Sequence, residues 1–362
     1  MSSGRQIGSV VRQFQVSGEF VSAEPFGSGH IIESWRVVVR EAGKPLRFLL
    51  QRMNTSIFTR PVALMQNIER VTAHLAKQVE GEPDRDRRVL TLIPTVDGRA
   101  WHEDSIGAYW RMYRFIEGAR SFDSLDSPDQ AFQAARAFGR FQQQLTTLPL
   151  PRLHDTIPEF HNTPLRFAAL VREIESDAAG RAIVAMPEIE FALSRQSITA
   201  KLLDANLPER ITHNDTKINN VLLDDATNEG ICVIDLDTVM PGLAPYDFGD
   251  MVRTATSPAA EDERDLSRVE MQFDFFEALV RGYLSSAGEF LTKEEKHLLA
   301  FSGKLITFEI GMRFLTDFLQ GDTYYKVHRD GHNLDRCRTQ FKLVESIERQ
   351  EEKMNRFVEV AG

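Results

Sequence analysis

ITHNDTKINNVLLDDATNEGICVIDLDTVMPGLAPYDFGD, residues 211–250, holds the densest set of chemistry-bearing side chains in this chain of 362 residues. Two brief apolar runs inside it, NVLLD and ICVID, read as short strands separated by a polar turn. His213, Asp215, Lys217 and Asn220 stand at or before the first run. Asp235 closes the second, with Asp237 two residues on and Asp250 at the end of the stretch. The chain on either side of this mixed segment differs in kind, and that difference sets the fold class.

Residues 213–220 have the spacing H-x-D-x-x-x-x-N of a kinase catalytic loop. Phosphoryl transfer to a hydroxyl needs a carboxylate beside the incoming oxygen, to orient it and accept its proton. Asp215 is placed for that role. The phosphates carry heavy negative charge, so divalent cations must bridge them. Mg²⁺ prefers oxygen ligands and keeps several waters, so one amide and one carboxylate suffice from the protein. Asn220 supplies the amide and Asp235, directly after an apolar strand, the carboxylate. Lys217 is expected to face the γ-phosphate and spread charge in the transition state. Asp237 supports a ligand or serves a second metal. His213 reads as a hydrogen-bonded scaffold residue rather than a proton carrier. Three oxygen-bearing side chains, Asp215, Asn220 and Asp235, are thus expected to converge between two lobes.

N-terminal to this segment the pattern is mostly strand. RQFQVSGEFV (12–21), SWRVVVRE (34–41), LRFLLQRM (46–53), RVLTLIP (88–94) and AYWRMYRFI (108–116) are rich in Val, Phe, Leu and Tyr. One helix interrupts them, PVALMQNIERVTAHLAKQV (61–79), opened by Pro61 and carrying Leu64, Ile68, Val71 and Leu75 at helical spacing. EGEPDRDRR (80–88) reads as a solvated polar loop. Beyond a connector near 115–120 the chain is mainly helical. One helix follows Ser127 as its cap and runs to residue 145. A long one around 293–320 carries Phe308, Met312, Leu315 and Leu319 on one stripe, and a last one spans 337–358. The expected architecture is α+β, with a β-rich lobe at 1–116 and a larger helical lobe at 117–362.

Composition narrows the class. Hydrophobic residues are 42% and charged residues 27%, a globular balance. The net charge of −10 argues against a general nucleic-acid or anionic-membrane binder. Cys232 and Cys337 are the two cysteines, too few for a disulfide-stapled fold or a four-cysteine zinc site, so they read as buried or idle thiols. The first fifteen residues lack a signal-peptide pattern and no apolar run approaches the roughly 20 residues of a membrane span, so a cytoplasmic protein is expected. No G-x-S-x-G or H-E-x-x-H pattern is present.

The stretch resembles the aminoglycoside phosphotransferase and choline kinase superfamily, and within it the bacterial N-acetylhexosamine 1-kinases. THNDTKINNVLLDD (212–225), VIDLDTVMPGLAPYDFGDMVR (233–253), FEIGMRFLTDFLQGDTYY (308–325) and GHNLDRCRTQF (331–341) carry the likeness, with LQRMN (50–54) and IPEFHNTP (157–164) in agreement. The resemblance implies a two-lobed protein-kinase-like fold, ATP with Mg²⁺, and phosphorylation of the anomeric hydroxyl of N-acetylglucosamine or N-acetylgalactosamine. It makes Asp215 the base, Asn220 and Asp235 the magnesium ligands, and Arg313 and Tyr324 sugar contacts. In the N-terminal lobe, Gly27 and Gly29 of PFGSGH are expected near the ATP phosphates. The strand lysine of kinases is absent. Arg52 stands in its neighbourhood as a cation fork for phosphate, with Glu69 or Asn67 as its helix partner. Phe115 and Ile116 fall where backbone groups would meet adenine.

Other acceptors within the superfamily are a second reading: another hexose, an amino sugar, choline or an aminoglycoside. A nucleotide-binding pseudokinase is a third, motivated by the missing lysine and opposed by Asp215, Asn220 and Asp235. His161 either lines the acceptor side or is a capping or buried histidine. His328 and His332 flank Arg329-Asp330-Gly331 and read as a solvated loop rather than a metal site.

Overall fold

The computed structural model describes residues 2–27 and 32–362. The chain packs as two compact units. One comprises Met1–Ala119, Thr147–Ile157 and Cys232–Val239, and the other Arg120–Thr146, Pro158–Ile231 and Met240–Gly362.

In the first unit, α1 (Ser2–Val11) precedes β1 (Glu19–Pro25), β2 (Glu33–Glu41), β3 (Lys44–Arg52), α2 (Pro61–Gln78), the single turn α3 (Arg85–Arg88), β4 (His102–Glu103) and β5 (Tyr109–Arg114). The strands form one antiparallel sheet in the order β1-β2-β3-β5-β4. Val37 pairs with Phe48, Trp35 with Leu50, and Leu50 with Met112. Alternation puts Val37, Val39, Phe48, Leu50, Trp110 and Met112 on one face, where they bury Ile7, Val10 and Val11 of α1. This helix ends at Val11, and residues 12–18, the first part of the strand expected at 12–21, form a turn and a loop with one isolated bridge, Phe14 to Thr95, so that β1 begins only at Glu19. Gly18 permits the reversal. Its φ is +110°, and a Cβ there would lie 2.4 Å from the Arg40 carbonyl oxygen.

RVLTLIP is not a strand of the sheet. Ile93 N donates to Met112 O at 2.8 Å and Arg114 N to Thr91 O at 2.9 Å, but only one bridge, Leu92 to Tyr113, forms before Pro94 interrupts. α2 starts at Pro61 as its sequence requires and buries Leu64, Met65, Ile68, Val71 and Leu75.

The chain passes into the second unit at β6 (Ala119–Arg120). There follow α4 (Pro128–Leu145), α5 (Thr163–Ser176), α6 (Met186–Leu193), α7 (Lys201–Asp204), β7 (Arg210–Thr212), β8 (Val221–Asp224), β9 (Gly230–Val233), β10 (Met240–Gly242), α8 (Ala244–Ala255), α9 (Phe273–Ala287), α10 (Lys293–His297), α11 (Leu299–Leu319) and α12 (His332–Ala361). Ser127 caps α4 by accepting from Gln130 N at 3.4 Å. The helix expected over 293–320 is two. Thr292 opens α10 with a capping box, and Leu298 (φ −93°, ψ 0°) turns the chain into α11. Phe308, Met312, Leu315 and Leu319 of α11 are all buried, as their spacing requires. α12 is longer than expected and starts after Gly331 (φ +69°). Gly311 lets α11 approach it closely: a Cβ there would stand 2.6 Å from the Phe341 ring. Among the described residues, no helix is long and apolar enough to cross a membrane.

Candidate active site

The loop after β7 is built before it is functional. β7 pairs antiparallel with β10, Thr212 opposite Met240. His213 then turns inward, fully buried, edge-on to Phe138 and Phe141 at 5.4 and 5.9 Å. Asn214 takes a left-handed φ of +63°, a conformation that costs energy and persists only where the surroundings hold it. Asp247 of α8 provides that hold. Its carboxylate accepts from His213 N at 2.8 Å, Asn214 N at 2.7 Å and Gln142 Nε2 at 2.5 Å, and its carbonyl accepts from Thr216 Oγ1 at 2.5 Å. Asp247 did not stand out in the sequence; its place in PYDFGD was the only signal.

The result is a defined setting for Asp215. Its carboxylate keeps part of its surface exposed and lies 3.0 Å from Lys217 Nζ. Asn220 Nδ2 donates to Asp215 O at 2.8 Å and to Oδ2 at 3.3 Å. Asp215 N donates to His213 Nδ1 at 3.3 Å, the scaffold role expected of that histidine. Burial alone would raise the Asp215 pKa, but Lys217, His213 and Arg253 outweigh it and hold the carboxyl below its ordinary range. Asp215 is therefore ionised and able to accept a proton. Lys217, facing that carboxylate, is held protonated. The structure thus brings Asp215, Lys217 and Asn220 together in one unit.

Asp235 belongs to the other unit. It is exposed, adopts a left-handed φ of +58°, and starts the short turn Leu236–Thr238. Of the two roles read for Asp237, supporting a ligand or serving a second metal, its pairing leaves no oxygen for the second. Both its oxygens are taken by the Arg111 guanidinium, Nη2 donating to Oδ2 at 3.0 Å and Nη1 to Oδ1. Arg111 is 1% exposed and also donates from Nε to Gln51 Oε1 at 2.9 Å.

Strand parity separates Arg52 from this cluster. Gln51 and Arg111 share one sheet face, whereas Arg52 shares the other with Leu50 and lies over Trp110 at 5.9 Å, paired with Glu33 at 3.2 Å. Asn67, one of its two expected partners, instead bridges the His154 amide and carbonyl and the Val239 carbonyl at 2.9, 2.8 and 3.1 Å. The expectation that Arg52 replaces the kinase lysine is not met by this geometry; the cation beside the Asp235–Asp237 turn is Arg111.

Gly27 is exposed with φ +87° and open space where a Cβ would stand. Gly29 lies outside the described residues. Phe115 packs edge-on to Phe26 at 5.4 Å and donates its amide to Arg47 O at 3.2 Å, while Ile116 is buried. The next two carbonyls, of Glu117 and Gly118, accept from Arg87 at 2.9 and 2.7 Å.

On the helical side, Arg313 of α11 is half-buried, its guanidinium over Phe160 at 5.3 Å and Tyr325 at 5.8 Å. Tyr324 is 50% exposed with its ring 4.8 Å from Tyr325. Buried Asp317 fixes that turn by accepting from the amides of Thr323, Tyr324 and Tyr325 at 2.7 to 2.9 Å. His161 is buried and ties this region to the loop. Its Nδ1 is 2.8 Å from Glu309 Oε1 and its Nε2 3.1 Å from Asn214 O, while Thr163 Oγ1 donates to Glu309 Oε2 at 2.5 Å.

Desolvation would lower the His161 pKa, but Glu309 raises it above the ordinary 6.5. Desolvation would raise the Glu309 carboxyl, but His161 holds it below 4.5. The histidine's contribution to stability is complete below pH 6.5 and fades as pH climbs through its raised value. The carboxylate's is complete above pH 4.5 and fades as pH falls through its lowered value. Melting temperatures are therefore expected to fall more steeply above pH 6.5 in the wild type than in His161→Gln. Parallel curves would show that the imidazole is not a charged partner there.

His332 is not in a solvated loop. It is buried at the start of α12, 2.9 Å from Asp262, and accepts from His328 N at 3.2 Å. Cys232 and Cys337 are free and buried, and burial pushes the Cys232 thiol up to about 12, so both are inert. Among the described residues no group of three or more His, Cys, Asp or Glu could hold a metal alone. A magnesium ion carried by a triphosphate does not need one, because phosphates and water complete its shell. The all-oxygen donor set fits it. The Asn220 NH2 group is spent on Asp215, which leaves its amide oxygen as the atom for a metal, and Asp235 is exposed on a short turn.

An antiparallel sheet in one unit, helices in the other and a polar loop bearing Asp215, Lys217 and Asn220 define a kinase-like phosphotransferase. Residues 22–283 match the APH phosphotransferase enzyme family, and the chain belongs to it. Its kinases use ATP with Mg²⁺ and phosphorylate hydroxyl acceptors. Solved structures agree on the fold. A microcompartment-associated aminopropanol kinase is 16% identical, with 97% of this chain and 98% of that one covered and a TM-score of 0.59. An aminoglycoside phosphotransferase from Alicyclobacillus acidocaldarius is 13% identical over 97% and 96%, with a TM-score of 0.62. A choline kinase from Cryptosporidium parvum is 13% identical over 98% and 97%, with a TM-score of 0.55.

Proposed function

We propose that this phosphotransferase is a sugar 1-kinase, moving the γ-phosphoryl of ATP to the anomeric hydroxyl of an N-acetylhexosamine such as N-acetylglucosamine or N-acetylgalactosamine. The observation that carries the reading is the ionised Asp215 carboxylate clustered with Lys217 and Asn220. Asp215 orients the acceptor hydroxyl and takes its proton. The anomeric hydroxyl is more acidic than an ordinary alcohol, so Asp215 need only orient it and take its proton late, as the bond to phosphorus forms. Lys217 stabilises charge on the transferring group. By the resemblance, Asn220 and Asp235 would hold the magnesium ion, which when bound would neutralise the phosphates and favour departure of ADP. Arg313 contacts the sugar, with Tyr324 at the edge of its pocket. By the same resemblance, Gly27 is assigned to the phosphates and Phe115 and Ile116 to adenine. The acceptor assignment rests on the resemblance of 308–325 and 331–341 to the N-acetylhexosamine kinases.

A cationic acceptor, as named for the aminopropanol and choline kinases of similar fold, is the second reading. A half-buried guanidinium in the acceptor region opposes it by like-charge repulsion. An acceptor panel followed by ADP release separates them. N-acetylhexosamines are expected to be turned over and choline not, and Arg313→Ala is expected to raise the sugar KM more than the ATP KM. Turnover of choline alone, or an unchanged sugar KM, would overturn the assignment.

A further inference from the structure

Two arginines in the helical unit lack the carboxylate partners that its other buried arginines have. Arg253 is matched by Asp250 at 2.7 Å and Glu261 at 3.2 Å. Arg313 makes ring contacts over Phe160 and Tyr325 and no hydrogen-bonded ion pair among the described residues, although the fields of Glu309 and Asp215 reach it and keep it charged. Glu309, one helical turn before it, is the natural partner, yet both Glu309 oxygens are already taken by His161 and Thr163. Arg166 of α5 also meets Phe160. Its Nε and Nη2 donate to the Phe160 carbonyl at 3.3 and 3.0 Å, and Nη2 also meets the Glu159 carbonyl at 3.5 Å. These carbonyls are neutral, so the negative charge that Arg166 feels comes from the more distant Glu309 carboxylate, which already pairs with His161. Phe160 therefore carries one guanidinium on its ring and a second on its carbonyl, and both are half-buried.

Burial and the Arg313 charge depress the Arg166 pKa against the pull of Glu309, which places the two cations in each other's field. Such a pair is costly when empty and relieved by an anion. It lies beside the catalytic loop: the Phe160 ring packs on His161 at 4.7 Å, and His161 holds the carbonyl of Asn214, next to Asp215.

We propose that Arg166 and Arg313 form an oxyanion subsite that binds a carboxylate or phosphate carried by the acceptor itself. The acceptor is then an acidic hydroxyl compound, in the sugar reading above an N-acetylhexosamine bearing an acidic group. The inference rests on that reading only for the sugar. The guanidinium fork recognises planar carboxylate and tetrahedral phosphate alike.

Calorimetric titration of the full chain without nucleotide tests it on matched pairs. The pairs are N-acetylglucosamine with its 6-phosphate, N-acetylglucosamine with its 6-carboxylate, and glycerol with glycerate. In at least one pair the acid is expected to bind about ten- to hundred-fold more tightly, as charge-assisted hydrogen bonds allow. Arg166→Gln is expected to bring that ratio near one and Arg166→Lys to retain part of it, with melting curves confirming that both variants fold. No preference for any acid, or a preference that survives Arg166→Gln, overturns the subsite. Phosphorylation of neutral N-acetylhexosamine without acid preference removes the subsite and leaves the sugar kinase. An Arg166-dependent preference for glycerate with no sugar turnover leaves the subsite and removes the sugar.

Discussion

Asp215→Asn is expected to lower kcat by about 10²–10⁴, the range removed with a general base, while ATP binds almost as in the wild type. The substitution is isosteric, so it changes charge rather than shape. Asn220 still finds an oxygen at the position of Oδ2, and the Asp215 carbonyl it also meets is untouched. What disappears is the anion beside Lys217 and its capacity to accept a proton. Turnover by ADP release and ATP affinity by calorimetry separate the two effects. Comparable turnover in the variant would remove Asp215 from the base role, and loss of ATP binding would show that the residue supports the nucleotide instead.

The second large effect concerns stability. Arg111 and Asp237 form a bidentate pair that is almost wholly buried. Removing one partner leaves a charge without compensation in the interior. Arg111→Met and Asp237→Leu singly are expected to cost about 3–5 kcal/mol each, and the double variant much less than their sum. Urea unfolding of the four proteins measures the coupling. Two single variants each within about 1 kcal/mol of wild type would mean that water or rearrangement reaches the site and that the pair is not what fixes the turn after Asp235.

Local pattern revealed what local pattern can encode. The order His213, Asp215, Asn220, then Asp235 after ICVI, marks the loop and the strand because a loop and a following strand are contiguous in sequence. The strands 34–41 and 46–53 were legible from β-branched and aromatic content, and α2 and α4 from Pro61 and Ser127. α1 was missed although Ile7, Val10 and Val11 have helical spacing, because the polar residues around them dilute the signal. Arg52 shows a different failure. Its parity with Phe48 and Leu50 already directs it to the α1 face, while the neighbouring strand supplies Arg111. The pairs that fix the site have no local signature. Arg111 and Asp237 are 126 residues apart and His161 and Glu309 148, so each side chain reads as an ordinary polar residue until the fold joins them.

Two positive φ values, one in each unit, belong to the same logic. Asn214 sits in the left-handed region one residue before Asp215, and Asp235 adopts it itself. Neither is glycine, so each conformation has to be imposed. Asp247 imposes the first through two backbone amides. The Arg111–Asp237 pair anchors the turn that follows the second. Rigid supports on both carboxylate-bearing segments suit a reaction in which positioning and charge stabilisation supply most of the rate.

Phosphorus NMR of a reaction containing ATP, Mg²⁺ and an N-acetylhexosamine tests the central claim most directly. The account predicts that the γ-phosphate signal of ATP is replaced by a phosphomonoester split by a single anomeric proton, in wild type and not in Asp215→Asn. Splitting by two methylene protons, release of inorganic phosphate alone, or an identical product from the Asp215→Asn variant would contradict it.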